Sequence, residues 1–204
     1  IMISAHWDTR PWAENSSTIM RKNQPIIGAN DGASGVAVIL ELAKIMKKNP
    51  PPIGVSLVLF DAEDYGTSAD SWSYAKGSQF FAQNIHINYP MYAINLDMIA
   101  DREPEFYIER YSYQQNPTLV LELWELAESL NLDTFKKQAK YTIFDDHVPL
   151  YQMAGIPAID IIDFDFPNEK TNYHHTHQDI VQNCSPKGLG EVGTLMLNHI
   201  YNIK

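Results

Sequence analysis

The sequence predicts a layered α/β domain. Three observations point there: strand-like and helix-like segments alternate along the chain, residues 53–60 form an almost unbroken apolar run, and acidic residues recur at or just after the ends of the apolar strands. In an open α/β sheet the ligand crevice lies at the carboxyl ends of the strands. The recurrence of acids there is therefore also the first functional signal.

Residues 1–5 read as a short apolar strand running into His6. Residues 26–35, Ile-Ile-Gly-Ala-Asn-Asp-Gly-Ala-Ser-Gly, read as a glycine-rich turn. A helix is expected over residues 36–48, with Val36, Ile39, Leu40, Ala43 and Met46 at helical spacing, and the three prolines from Pro50 to Pro52 stop it. The run 53–60 has the pattern of a central strand covered on both faces and leads into Asp61-Ala62-Glu63-Asp64. Residues 91–99 repeat the design, with Asp97 near the strand end. A helix is expected from Pro117 to Leu130, with proline in its first turn. A short helix follows from His147 to Ala154, ended by Gly155, then a strand from Pro157 to Ile162. Ser185 caps the last helix, which opens at Pro186. Segments 10–25 and 64–76 are polar, irregular and expected to be loops.

The 204 residues suit one domain, taken as 1–204. A domain of that size needs no disulfide to fold, and Cys184 has no intrachain partner. A formal net charge of −10 argues against nucleic acid as a partner, because phosphate recognition needs clustered Lys and Arg. No apolar run is long enough to span a membrane, and no signal peptide is visible. The chain starts in what reads as a strand already under way, as expected of a piece of a longer protein.

The residues that could carry chemistry are His6 and Asp8, Asp31 in the glycine turn, Glu63 and Asp64, Asp97, and His175. Zinc accepts imidazole nitrogen and carboxylate oxygen, and the chain offers no set of thiolates. Taken singly, each of these residues reads as well as a turn former or a surface group. Their joint placement at strand ends makes the case for a metal site. Two adjacent carboxylates after a buried strand, Glu63 and Asp64, are costly unless a cation neutralises them. One can bind the metal while the other carries a proton. Asp145-Asp146-His147 precedes a helix; capping accounts for one acid there, but not for two acids and a histidine. His174, His175 and His177 crowd one loop, where Asp179 or a backbone carbonyl could take the second ring proton of a metal-binding histidine. Trp7, Trp12, Tyr65, Trp72, Phe166 and Tyr173 lie close in sequence to these motifs. Core or loop packing explains aromatic residues of this kind, and an aromatic lining also suits a small substrate pocket.

In this order the motifs resemble the M28 metallopeptidase family and its relatives, the glutaminyl cyclases of bacterial type. The matching stretches are His6-Trp7-Asp8, the glycine turn from Gly28 to Gly35, Phe60 to Asp64, Asn95-Leu96-Asp97, Asp146 to Pro149, and His175-Thr176 with Asp179. The resemblance implies a three-layer α/β/α sandwich around a mixed central sheet, with zinc at the strand ends and peptide N-termini as substrate. It also implies an exported or periplasmic protein.

Two activities are implied. In the cyclase branch one zinc is held by Asp31, Asp64 and His175, Glu63 shuttles a proton, and Asp97 pairs with Asp145. In the aminopeptidase branch two zinc ions are held, His6 and Asp97 serving the second, with Asp31 as the bridge and Glu63 activating water. The acid at Asp145, directly before Asp146-His147, and the stretch through Phe166-Pro167 are closer to the cyclases. The glycine turn is nearer the peptidase form, and His174 stands where animal cyclases place a tryptophan. Trp72 and Phe166 are the expected pocket aromatics. The cyclase, converting N-terminal glutamine to pyroglutamate, is the preferred expectation.

Overall fold

The computed structural model describes residues 1–85 and 89–203. Its centre is a four-stranded sheet of β1 (Met2–His6), β2 (Ser56–Phe60), β3 (Ala93–Asp97) and β6 (Ala158–Ile162), in the order β2-β1-β3-β6. All four run parallel, Met2 facing Ser56 and Ala93, and Ala93 facing Ala158. Parallel strands bring their carboxyl ends to one edge. That arrangement gathers His6, the loop after Phe60, Asp97 and Ile162 on the same side of the molecule.

Side chains alternate across each strand, and the alternation divides the core in two. Ile3, Ala5, Ile94, Leu96, Ile159 and Ile161 face one side. There they pack against α1 (Ala33–Lys48), α4 (Pro117–Ser129) and α6 (Pro186–Asn202) through Val38, Leu42, Leu123, Trp124, Val192 and Met196. Met2, Phe60, Ala93 and Ala158 face the other side, against α2 (Lys76–Gln83) and α5 (His147–Ala154), with Leu150 and Phe81 between them. The result is the expected α/β/α sandwich. Mixed strand direction is found between sheets rather than within the central one. A parallel pair forms from β4 (Phe106–Ile108) and β5 (Phe135–Ala139), and an antiparallel ribbon from β7 (Pro167–Asn168) and β8 (Thr171–Asn172). The short helix α3 (Arg110–Gln115) sits against β6.

Several boundaries move, each for a local reason. Helix α1 begins at Ala33, three residues before the expected start, because the Ser34 hydroxyl bonds both the Asn30 carbonyl and the Ile99 N–H and anchors the first turn. The apolar run 53–60 becomes strand only from Ser56, and β2 lies at the edge of the sheet as described, half exposed rather than covered on both faces. The segments β4, α3, β5 and α2 were not expected. β4 and β5 are short and carry Tyr, Lys and Gln, so their strand period is invisible without the packing that creates it. The helices at Pro117, His147 and Pro186 start where anticipated; Asn116 and Ser185 cap the first and last with side-chain oxygens. No helix among the described residues is long and apolar enough to cross a membrane.

Candidate active site

Each candidate side chain sits at a carboxyl end of the sheet, and the backbone leaves its regular path to put it there. His6 is the last residue of β1. Ala62, Met98 and His175 adopt left-handed backbone conformations, at φ 54°, 48° and 55°. Such conformations cost energy in non-glycine residues and gather where a chain must aim a functional group. Here they flank Glu63, follow Asp97, and fall on His175 itself.

Two carboxylates that are not aimed at the cavity hold the loops that are. Asp8 accepts the N–H groups of Glu63 and Asp64, both at 3.1 Å. Asp179 accepts those of Asn30 and Asp31 at 2.8 and 3.2 Å. Asp8 thus shapes the acidic loop after β2 and Asp179 shapes the glycine turn. This corrects the expectation that Asp179 or a backbone carbonyl would take the second ring proton of the loop histidine. That place belongs to Glu14, whose Oε1 lies 3.0 Å from His175 Nδ1.

His6, Asp31, Glu63, Asp64, Asp97, Asp145 and His175 are all buried. His175 Nε2 lies 2.9 Å from Asp64 Oδ1 and 3.7 Å from Asp31 Oδ2. His6 Nε2 lies 3.2 Å from both Asp31 Oδ1 and Asp97 Oδ1. Possible ligand atoms of His6, Asp31 and Asp97 fall within 4.8 Å of one another, as do those of His6, Glu63 and Asp64, and those of Asp31, His174 and His175. Asp31 Oδ2 and Asp64 Oδ2 are buried without a hydrogen-bond partner among the described residues. Burying carboxylate oxygens in that state is costly, and a divalent cation between them and His175 Nε2 removes the cost. The donor set, carboxylate oxygen with imidazole nitrogen, is one that zinc accepts.

Before any cation is counted, the acids repel one another. Burial, with Asp145 and Asp64 nearby, holds the Glu63 carboxyl well above the usual carboxylate range. Burial raises Asp97 to about 6, against the hydrogen bond with His6 and with help from Asp145 and Asp64. Burial lowers His174 to about 3, leaving a neutral ring stacked on His175 at 3.6 Å between centroids. A buried carboxyl held above the usual carboxylate range is suited to carrying a proton.

These groups open into a cavity of about 300 Å³ whose walls include Tyr74, Tyr141, Ile143, Phe144, Phe164 and His174. The expected pocket aromatics need correction. Phe166 is fully buried, filling the space beside Met98 and Ile162 and packing edge-on against Tyr173, so the wall is made by Phe164 instead. Trp72 is exposed and does not line the cavity; it packs edge-on at 4.9 Å against Phe144, which does, while its neighbour Ser71 reaches the cavity. Asp145 lines the cavity, held by the Asn95 side-chain amide. Asp146, at the N-cap of α5, makes no side-chain cap bond, so capping does not explain that acid pair. Glu14, Tyr74 and Phe164 carry no sequence signal: they lie in irregular segments, and only folding brings them to the site.

A second, larger groove of about 800 Å³ lies outside this cluster, and several of its acids are paired with lysines. Lys140 bridges Asp165 and Glu169 at 2.6 Å each, and Lys187 pairs with Asp133 at 2.8 Å.

The model of peptidase family M28 matches residues 1–200. The crystal structure of Tannerella forsythia glutaminyl cyclase is 37% identical, with all of this chain covering 73% of that one at a TM-score of 0.94. A leucine aminopeptidase precursor from Bacteroides thetaiotaomicron is 35% identical, with all of this chain covering 72% of that one at a TM-score of 0.93. Aminopeptidase YwaD of Bacillus subtilis is 26% identical over 209 residues, spanning 98% of this chain. This chain spans 40% of the length of that curated relative.

Proposed function

The chain belongs to peptidase family M28, and on that premise we propose that it is a zinc-dependent glutaminyl-peptide cyclotransferase. It converts the N-terminal glutamine of a peptide to pyroglutamate and releases ammonia. Residues 1–204 form one catalytic domain, and the protein is exported or periplasmic, in keeping with the family's bacterial members.

Asp31, Asp64 and His175 hold the metal. Bound zinc supplies a Lewis acid for the side-chain amide carbonyl of the substrate. Glu63, whose carboxyl is kept protonatable by burial and its acidic neighbours, takes a proton from the attacking α-amine. The new bond joins the α-nitrogen to the side-chain amide carbon. As the bond from that carbon to the amide nitrogen breaks, Glu63 returns the proton and ammonia leaves. Asp97 and Asp145 line the same cavity; they share a proton and steady the tetrahedral intermediate.

The observation that carries this reading is Asp145: an acid placed in the cavity beside Asp97 and Glu63, where capping does not explain it. One observation favours a second reading. His6 Nε2 lies 3.2 Å from both Asp31 and Asp97, which suits a second zinc ion and a di-zinc aminopeptidase. Incubating the zinc-loaded protein with two peptides, one starting with glutamine and one with leucine, separates the two by mass spectrometry. Loss of ammonia from the first with the second intact supports the cyclase. Loss of the first residue from the leucine peptide replaces it with the aminopeptidase.

A further inference from the structure

Arg10 is almost completely buried, at 2% exposure, yet it lies in an irregular segment and touches no substrate cavity. Its guanidinium reaches in three directions. Nη1 donates to the backbone carbonyls of Asp64 at 2.5 Å and Gly66 at 2.8 Å. Nε and Nη2 donate to the carboxylate of Glu14, at 3.0 and 2.6 Å to Oε1. Its plane is covered by the rings of Trp12 and Tyr74, at 4.7 and 5.3 Å. Glu14 in turn lies 3.0 Å from His175 Nδ1. The same segment holds the histidine loop at further points: Asn15 N–H donates to the His175 carbonyl at 3.3 Å, and Ser16 Oγ pairs with His177 Nδ1 at 3.0 Å.

One buried cation therefore grips two of the residues read as metal ligands, which arrive from distant parts of the chain. It holds Asp64 by its own carbonyl and His175 through Glu14. Nδ1 faces Glu14 and Nε2 faces Asp64 and Asp31, so with a cation bound at Nε2 the ring proton would sit on Nδ1 and be donated to Glu14. A carboxylate behind a ligating histidine sets ring orientation and raises its basicity. Arg10 keeps that carboxylate charged and in place.

We infer that Glu14, clamped by Arg10, is a positioning residue that sets the zinc affinity of the site through His175. This rests on the reading of Asp31, Asp64 and His175 as the zinc ligands. The segment 10–16 is then part of the metal site, although none of its residues binds metal.

The test compares Glu14→Ala and Glu14→Gln with the wild type, after removal of metal, by competition for zinc with a chromophoric chelator. The visible absorption of the cobalt-loaded proteins is recorded alongside. Glu14→Ala is expected to weaken zinc binding by about 10–100-fold and to alter the cobalt bands. Glu14→Gln, whose amide oxygen still accepts from Nδ1 but lacks charge, falls between. The inference is overturned if the variants unfold at lower temperature while, still folded, they keep wild-type zinc affinity and cobalt bands. That pattern belongs to a clamp that only supports the fold. His175→Ala serves as the control. Wild-type zinc affinity in that variant would remove His175 from the ligand set, and this inference with it.

Discussion

The side-chain amide of Asn95 donates to Asp145 Oδ2 at 2.7 Å, tying the acid ahead of α5 to the strand that ends in Asp97. The same amide reaches Asp160 Oδ1 at 3.3 Å, and the Asn95 oxygen accepts from Ser4 Oγ at 2.9 Å. Asn95 thus links β1, β3, β6 and Asp145 in one buried polar layer beneath the cavity. Asp145 is held in place before any substrate arrives.

Asp145→Asn tests what that placement is for. The substitution preserves shape and can still accept from Asn95, but it removes the charge. Under the cyclase reading, turnover of a glutamine-initiated peptide falls by about 100-fold or more while metal content, measured by atomic absorption, stays the same. An unchanged rate would leave Asp145 with no chemical role.

Glu63→Gln separates metal binding from proton transfer. Glu63 is buried, and its N–H is held by Asp8, so the loop keeps its shape without the charge. Turnover is expected to drop by about 10²–10⁴-fold with zinc retained. Retained activity would remove Glu63 as the proton carrier. Loss of zinc along with activity would make it a ligand instead.

Gly35 lies where α1 meets the central sheet. A Cβ added there would sit 2.1 Å from the Leu96 carbonyl oxygen and 2.8 Å from the Ala5 side chain. Neither can move without shifting a central strand, so Gly35→Ala should destabilise by about 3 kcal/mol, read as lost resistance to urea. Gly193, in α6, has open space around its Cβ position. Gly193→Ala should be neutral or stabilise by up to about 1 kcal/mol. Equal losses in the two variants would contradict the packing described.

Asp163 makes stability depend on pH. Burial raises its carboxyl to about 7; Asp101 and Asp165 add to the rise, while N–H bonds from Glu105 and Asp165 oppose it. A carboxyl with a folded pKa above its unfolded value favours folding fully below the unfolded value, and that contribution is lost as pH rises through the folded one. Asparagine does not titrate. Asp163→Asn should therefore gain on the wild type between about pH 4 and pH 8, by on the order of 4 kcal/mol. Urea unfolding across that range measures it, and a difference that does not change with pH would contradict the assignment.

Much of the molecule was legible in one dimension. The apolar runs ending in His6, Glu63 and Asp97 mark strands whose carboxyl ends must share an edge once they pair in parallel. Strand periodicity is a local property, so it marked Glu63, Asp64 and Asp97 as acids at strand ends; Asp31, Asp145 and His175 lie outside the strands and came forward through short motifs and the family resemblance. The tertiary structure alone decided what stands behind those residues. Arg10 and Glu14 lie in a segment with no periodicity, and their meaning depends on a loop 161 residues away from Glu14. Phe166 is buried beside Met98 and Ile162 while the partly buried Phe164 reaches the cavity, and the pattern of neighbouring aromatics does not say which of the two takes which place. Asp179 left the histidine for the glycine turn because Glu14 already occupied the imidazole. Such choices are settled by competition among partners that meet only in space, and a linear pattern carries no record of that competition.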